Sequence, residues 1–209
     1  MPLEKIIAVD ASTQVLIWKI TEDFDTLLQG VTLRDASSER LANMKSLSHR
    51  CGFLSIRHLL QHAGYTDLDL RYDDCGKPSL SDGKHISITH SFSYSGIVIS
   101  TKNVGIDIEM QREKIIRIAD KFTNEKEQAL LAVPLDLKVK QLTVIWGAKE
   151  AMYKMCNSRS LSFKDHMNVE AFDLNGTSGK CEVRSETFSK SFCFYFLEID
   201  NFMLVYTLL

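Results

Sequence analysis

The order in which the hydrophobic period changes along this chain restricts its fold more than any other feature. Alternating, β-rich stretches come first, at 5–10 and at 13–20 (T-Q-V-L-I-W-K-I). A helical pattern follows over 38–62, with Phe53, Ile56, Leu60 and Ala63 recurring at spacings of three and four and Gly64 placed as its stop. After the loop Asp73-Asp74-Cys75-Gly76-Lys77-Pro78, strands are expected at 85–91, 96–101 and 104–110. The same order then returns loosely. Helices are expected at 114–121, 125–132 and 139–156, the second opened by Asn124 with Glu127 three residues later. Strands are expected at 168–174, 180–186, 192–199 and 202–208, with Asn175-Gly176 and Asp200-Asn201 as hairpin turns. The pattern predicts an α+β protein, a pseudo-dimer of two similar halves over 1–103 and 104–209. Each half is a small sheet packed with helices, and no sequence identity between them is visible.

Composition removes whole classes of function. Of 209 residues, 44% are hydrophobic and 25% charged, enough for a sizeable core and incompatible with wholesale disorder. A net charge of −2 and a pI near 6.3 exclude a surface coated for nucleic acid, so any positive site is local. Five cysteines without a C-x-x-C read as reduced thiols rather than a disulfide framework. The apolar N-terminal stretch stops at Asp10, too short for a signal peptide's core. No stretch of uncharged apolar residues is long enough to span a membrane. A cytoplasmic protein is expected. Nucleotide-loop, nucleophile-elbow and H-E-x-x-H motifs are absent. His58 and His62, at i and i+4, have metal spacing but no acidic or cysteine neighbour.

Three segments carry chemistry. In V-G-I-D-I-E (104–109), strand alternation puts Asp107 and Glu109 on one face and Ile106 and Ile108 on the other. The residues alone leave two readings open. One is a solvated acidic face on an edge strand; the other is a hard-cation site, since paired carboxylates with water and substrate phosphates hold Mg²⁺. In I-W-G-A-K-E-A-M-Y-K (145–154), helical spacing stacks Trp146, Glu150 and Lys154 on one side and turns Ile145, Ala148, Met152 and Met155 to the core. From Arg40 to Gly64 the chain carries Arg40, Lys45, Arg50, Arg57 and three histidines, with no Asp or Glu. Arg50 and Arg57 fall on one helical face. A one-sign stretch in a net-acidic chain points to a polyanionic small molecule, with Lys77 and His90 as further phosphate donors.

Taken in order, G-K-P (76–78), I-S-I-T-H-S (86–91), G-I-D-I-E (105–109) and W-G-A-K-E-A-M-Y-K (146–154) resemble the motifs of 4′-phosphopantetheinyl transferases. Length and the two-half pattern are similar to the surfactin-type (Sfp-like) class, whose single chain binds its ligand in the cleft between halves. The resemblance implies transfer of phosphopantetheine from coenzyme A to a serine of an acyl or peptidyl carrier protein. It implies that Asp107, Glu109 and Glu150 hold Mg²⁺ and that Lys154 contacts the pyrophosphate. Glu150 is implied as the base, directly or through water, with Asp107 and Lys154 as its catalytic partners. Thr89 and His90 match the family's Ser-His, Lys77 its G-[KR]-P, and Lys45 and Arg50 its basic residues for the 3′-phosphate and adenine. Two departures stand out: Phe92, where many members have glycine, and Gly147 inside the helix.

The same residues also fit a non-catalytic coenzyme A or carrier-protein binding module, or a metal-dependent phosphohydrolase. A monomer is expected if both halves lie in one chain. Lys114, Arg117 and Lys121 recur at three and four, a basic stripe suited to a carrier's acidic helix, with Ile115, Ile116, Ile118 and Phe122 beside it.

Overall fold

Alternation in the first twenty residues closes a hairpin between β1 (Leu3–Asp10) and β2 (Thr13–Lys19). Asp10 pins its turn by accepting from the Ser12 amide at 2.7 Å. The computed structural model describes residues 2–158, 160–185 and 188–209, and it divides between Lys102 and Asn103 into two compact units. Both are mixed α+β, each with one antiparallel sheet.

In the N-terminal unit, the hairpin is followed by α1 (Phe24–Gln29), α2 (Asp35–Asn43), α3 (Leu47–His62), β3 (Leu70–Tyr72), β4 (Pro78–Leu80), β5 (His85–Ser91) and β6 (Tyr94–Ser100). The sheet order is β1-β2-β6-β5-β4-β3. Leu16, Ile56, Leu59, Leu60, Ile86 and Ile97 make its main core. The single helix expected over 38–62 is two. Ser46 caps α3 by accepting from the His49 amide, so the chain breaks at 44–46. Elements α1, β3 and β4 were not expected, being too short to show a period. His58 and His62 pack on Trp18, with ring centroids 5.1 and 5.7 Å away, and the His58 Nε2 lies 2.9 Å from the Leu27 carbonyl. Their spacing serves packing rather than a metal.

The C-terminal unit runs β7 (Val104–Met110), a 3-10 helix (Glu113–Ile118), α4 (Ala119–Phe122), α5 (Glu125–Ala129), α6 (Leu135–Cys156), β8 (Met167–Val169), β9 (Ser178–Arg184), β10 (Ser189–Ile199) and β11 (Phe202–Leu208). Its order is β7-β11-β10-β9-β8. The capping box of Asn124 and Glu127 is formed. The helix expected over 114–121 starts as a 3-10 helix, and of the strand expected over 168–174 only the first two residues lie in a strand, the three-residue β8. Glu186, the expected end of another strand, lies outside the described residues.

Two glycines set how α6 lies on this sheet. A Cβ at Gly105 in β7 would sit 2.7 Å from the Ala151 carbonyl carbon and closer still to its oxygen. At Gly147 it would meet Val205 Cγ2 at 2.7 Å. The apparent cost of a glycine inside the helix is thus a packing requirement. At Gly105 the obstacle is backbone and cannot step aside; at Gly147 it is the end of a side chain. We expect Gly105→Ala to cost at least about 3 kcal/mol and Gly147→Ala about 1–2 kcal/mol. Adding Val205→Ala to the second should recover about 1 kcal/mol as coupling. Urea melts of the four variants check this, and equal losses at the two glycines would contradict it.

Candidate active site

Strand β7 and helix α6 bring the acidic and basic motif residues together. Ile106 and Ile108 are fully buried on one face of β7, as their alternation requires. Asp107, on the other face, is only 6% exposed, which removes the solvated-face reading for this carboxylate. Lys154 reaches it from α6: its Nζ donates to Asp107 Oδ1 at 3.0 Å and to the Ile106 carbonyl at 2.7 Å. An ammonium has three protons, and two are used on acceptors among the described residues.

Glu150 lies one helical turn before Lys154 and is half-buried. Burial pushes its carboxyl up to about 7; the negative charge of Asp107 adds to this, Lys154 opposes it, and Glu109 adds a little more. Three carboxylates therefore act on one another here with one lysine among them. Among the described residues no three metal-ligating side chains stand gathered as a ready shell. The donor set is nevertheless all anionic oxygen, the chemistry a hard divalent cation takes, and a cation there would relieve the repulsion that raises Glu150.

The neighbours of Glu150 on α6 have different work. Lys149 is fully buried, its Nζ donating to Glu127 Oε2 and the Phe122 carbonyl at 2.7 Å and to the Phe163 carbonyl at 2.9 Å. Glu127 accepts in turn from the amides of Asn124 and Val169 at 2.8 Å. This network was not anticipated. Its one sequence signal is that Ile145, Ala148 and Met152, all core residues, surround Lys149 on the helix. Trp146, expected beside Glu150, is half-buried, with its ring 5.0 Å from Phe122 and 5.4 Å from Phe163. With Glu109, Lys114, Ile115 and Ile118 it lines a pocket of about 230 Å³. Lys114, Arg117 and Lys121 are exposed, while Ile115, Ile116 and Ile118 turn toward the core.

The N-terminal unit holds the other expected residues. Thr89 is buried and His90 exposed near the end of β5. The His90 ring lies against α3, where a Cβ on Gly52 would be 3.1 Å from its Cγ, and its centroid is 5.6 Å from that of His49. Lys77 follows Gly76, whose φ of +85° suits glycine, in a turn where Asp73 Oδ1 accepts from the Cys75 and Lys77 amides at 2.9 and 2.8 Å. Lys45 is exposed just before the Ser46 cap. Arg50 lies over the Phe24 ring. Arg57 does not join the basic set: it is 3% exposed and donates through Nε to Asp67 at 2.9 Å. Phe92 has a φ of +48°, the left-handed region that favours the glycine expected at this position.

The raised carboxyl gives a pH signature in the metal-free protein. Folded Glu150 keeps its proton up to about 7, whereas unfolded it loses it near the ordinary 4.5. Stability from this group is thus complete below the unfolded value and is lost as pH rises through 7. In EDTA, the Tm of the wild type should fall relative to Glu150→Gln between about pH 5 and 8. Parallel Tm curves for the two proteins would show that Glu150 titrates normally.

Residues 103–206 match the 4′-phosphopantetheinyl transferase superfamily. The chain is 30% identical over 146 residues to enterobactin synthase component D of Salmonella typhi, covering 68% of this chain and 56% of that protein. It is 34% identical over 85 residues to the 4′-phosphopantetheinyl transferase gsp of Aneurinibacillus migulanus, covering 40% and 36%. To the 4′-phosphopantetheinyl transferase PptT of Mycobacterium tuberculosis it is 28% identical over 140 residues, covering 61% of each. The chain spans about half the length of the curated relatives it matches. No helix among the described residues is long and apolar enough to cross a membrane. The unit that holds Asp107, Glu150 and Lys154 belongs, over nearly its whole length, to the 4′-phosphopantetheinyl transferase superfamily.

Proposed function

We propose that the protein transfers the 4′-phosphopantetheine group of coenzyme A to a serine of an acyl or peptidyl carrier protein, as a cytoplasmic monomer of the surfactin-type (Sfp-like) class. The observation that carries this is the pairing of Lys154 with Asp107 one turn from Glu150, inside the stretch that matches the superfamily. Asp107, Glu109 and Glu150 are the residues that would hold Mg²⁺, which when bound neutralises pyrophosphate charge. The serine oxygen attacks the phosphorus that bears the pantetheine arm. That bond forms as the bond to the leaving 3′,5′-ADP oxygen breaks, and Glu150 takes the serine proton. Lys154 and His90 offset charge on the leaving group. Lys45, Arg50, Lys77, Thr89 and His90 are proposed to bind the nucleotide end of coenzyme A, and Asp107, Glu109 and Glu150 to serve its pyrophosphate.

The test is mass spectrometry of a purified apo carrier protein incubated with the enzyme, coenzyme A and Mg²⁺. A gain of one phosphopantetheine that depends on all three is the expected result, and Glu150→Gln should abolish it while keeping the fold. Wild-type transfer by that variant would overturn the role of Glu150. Coenzyme A binding without any mass gain would favour a binding module, and phosphate release without a carrier would favour a hydrolase.

The exposed Lys114, Arg117 and Lys121, beside the pocket that Glu109 lines, are proposed to receive the carrier's acidic helix. In the 3-10 helix Lys114 and Arg117, three apart, eclipse one another and so face the same way. Arg117→Glu should weaken apparent carrier affinity several-fold and flatten its salt dependence, with coenzyme A binding unchanged. Wild-type carrier kinetics in this variant would remove the 3-10 helix from the docking face.

A further inference from the structure

Two arginines of α3, seven residues apart, are built alike up to one missing part. Arg57 lies with its guanidinium carbon 3.4 Å from the centroid of the Phe53 ring. Its polar edge is closed by protein: Nε donates to Asp67 Oδ1 at 2.9 Å and Nη1 to the Phe53 carbonyl at 3.1 Å. Arg50 stacks in the same manner, 3.8 Å from the centroid of Phe24. No acceptor among the described residues closes it. Its Nε is buried without a hydrogen-bond partner, and no ion pair to it forms among the described residues. The residue as a whole is half-exposed, so the guanidinium is not sealed into the core as that of Arg57 is.

The two acids whose charge, like that of Arg50, acts on the neighbouring Cys51 thiol have other hydrogen bonds. Asp23 caps α1 by accepting from the Thr26 amide at 2.9 Å, and Glu22 accepts from the Thr21 amide at 3.0 Å. The Asp23 cap has a second effect: it makes Phe24 the first residue of α1 and so fixes the ring under Arg50. A guanidinium held flat on an aromatic face keeps its N–H fork in one plane, the geometry that grips a planar or tetrahedral oxyanion through two parallel bonds. Arg57 shows what satisfies such a plate in this protein, one carboxylate oxygen and one backbone carbonyl. For Arg50 no carboxylate does this among the described residues, which leaves the place open to a bound anion.

We propose that Phe24 is a positioning residue, holding Arg50 as a flat plate for a phosphomonoester. This rests on the transferase reading above, under which the phosphomonoester is the 3′-phosphate of coenzyme A. A merely structural Phe24 would weaken every ligand alike or none. A positioning Phe24 affects only ligands that carry that phosphate, and only while Arg50 is present.

The experiment measures binding by calorimetry, and KM and kcat with a carrier protein, for the full chain. The ligands are coenzyme A and 3′-dephospho-coenzyme A. Phe24→Leu should raise Kd and KM for coenzyme A roughly five-fold with kcat unchanged, the loss expected for one stacked cation. Phe24→Tyr should restore both. Neither change should alter binding of the dephospho ligand, and Phe24→Leu should add nothing to the loss caused by Arg50→Ala. Equal coenzyme A affinity in wild type and Phe24→Leu overturns the proposal, as does an equal loss for both ligands or simple additivity with Arg50→Ala. Thermal melts identify a variant that fails to fold, and the Tyr variant then decides. Failure of the transferase reading looks different: the wild type itself would not bind coenzyme A or would not modify the carrier.

Discussion

The close approach of α6 to β7 is the constraint on which the site depends. Gly105 lets the backbone of Ala151 come down onto the strand, and Gly147 lets the preceding turn settle over Val205. Because Asp107 is two residues beyond Gly105 and Lys154 three beyond Ala151, this one contact sets their separation. A side chain at 105 would lift the helix by more than a hydrogen bond tolerates, and the 3.0 Å pair of Lys154 and Asp107 would open. Packing therefore fixes the electrostatics here, and the motif glycine matters for reasons unrelated to turns.

The far side of α6 is held by a different interaction. Lys149 uses all three of its protons on Glu127, Phe122 and Phe163, and Glu127 uses both its oxygens on Lys149 and two amides. Burial alone pulls the lysine's pKa down, and the opposing charge of Glu127 counters it. A buried pair satisfied in this way adds modest net stability, but removing one partner typically costs about 3–5 kcal/mol. It also ties the start of α5, the Phe163 loop and β8 to one point on the helix. Phe163 in turn packs on Trp146 and Tyr153. Two adjacent residues of one motif, Lys149 and Glu150, are thus assigned opposite tasks by facing opposite ways.

Most of the long elements were legible because their periods are strong: β2, β5, β7, α6 and β11 lie where alternation or helical spacing puts them, within a few residues. What failed did so for local reasons. Ser46 broke an apparently continuous helix because a serine that can cap is cheaper outside a helix than inside it. Three-residue strands such as β3, β4 and β8 owe their existence to neighbours and carry no period of their own. At the site, residue types named Asp107, Glu150 and Lys154, but their pairing and burial needed the fold. Arg57 was the opposite case. Its spacing matched that of Arg50, yet Asp67, ten residues on and outside the helix, withdrew it into the core.

The arrangement also explains why a site of this kind sits on so heavily buried a scaffold. Asp107 is almost fully buried, Glu150 half-buried and raised to about 7, and one lysine serves them both. Such a group of carboxylates opposes folding, and the destabilisation must be offset elsewhere. The offset is at hand on the same helix. Leu142, Val144, Ile145, Ala148, Met152 and Met155 are all buried in one core with Val183, Phe194 and Val205. Helix α6, at 22 residues, is the longest element of the chain, and its apolar side gives hydrophobic stabilisation well beyond what a short helix could supply. The repulsion left at Glu150 is then available to be released by a proton or by a cation placed among the carboxylates.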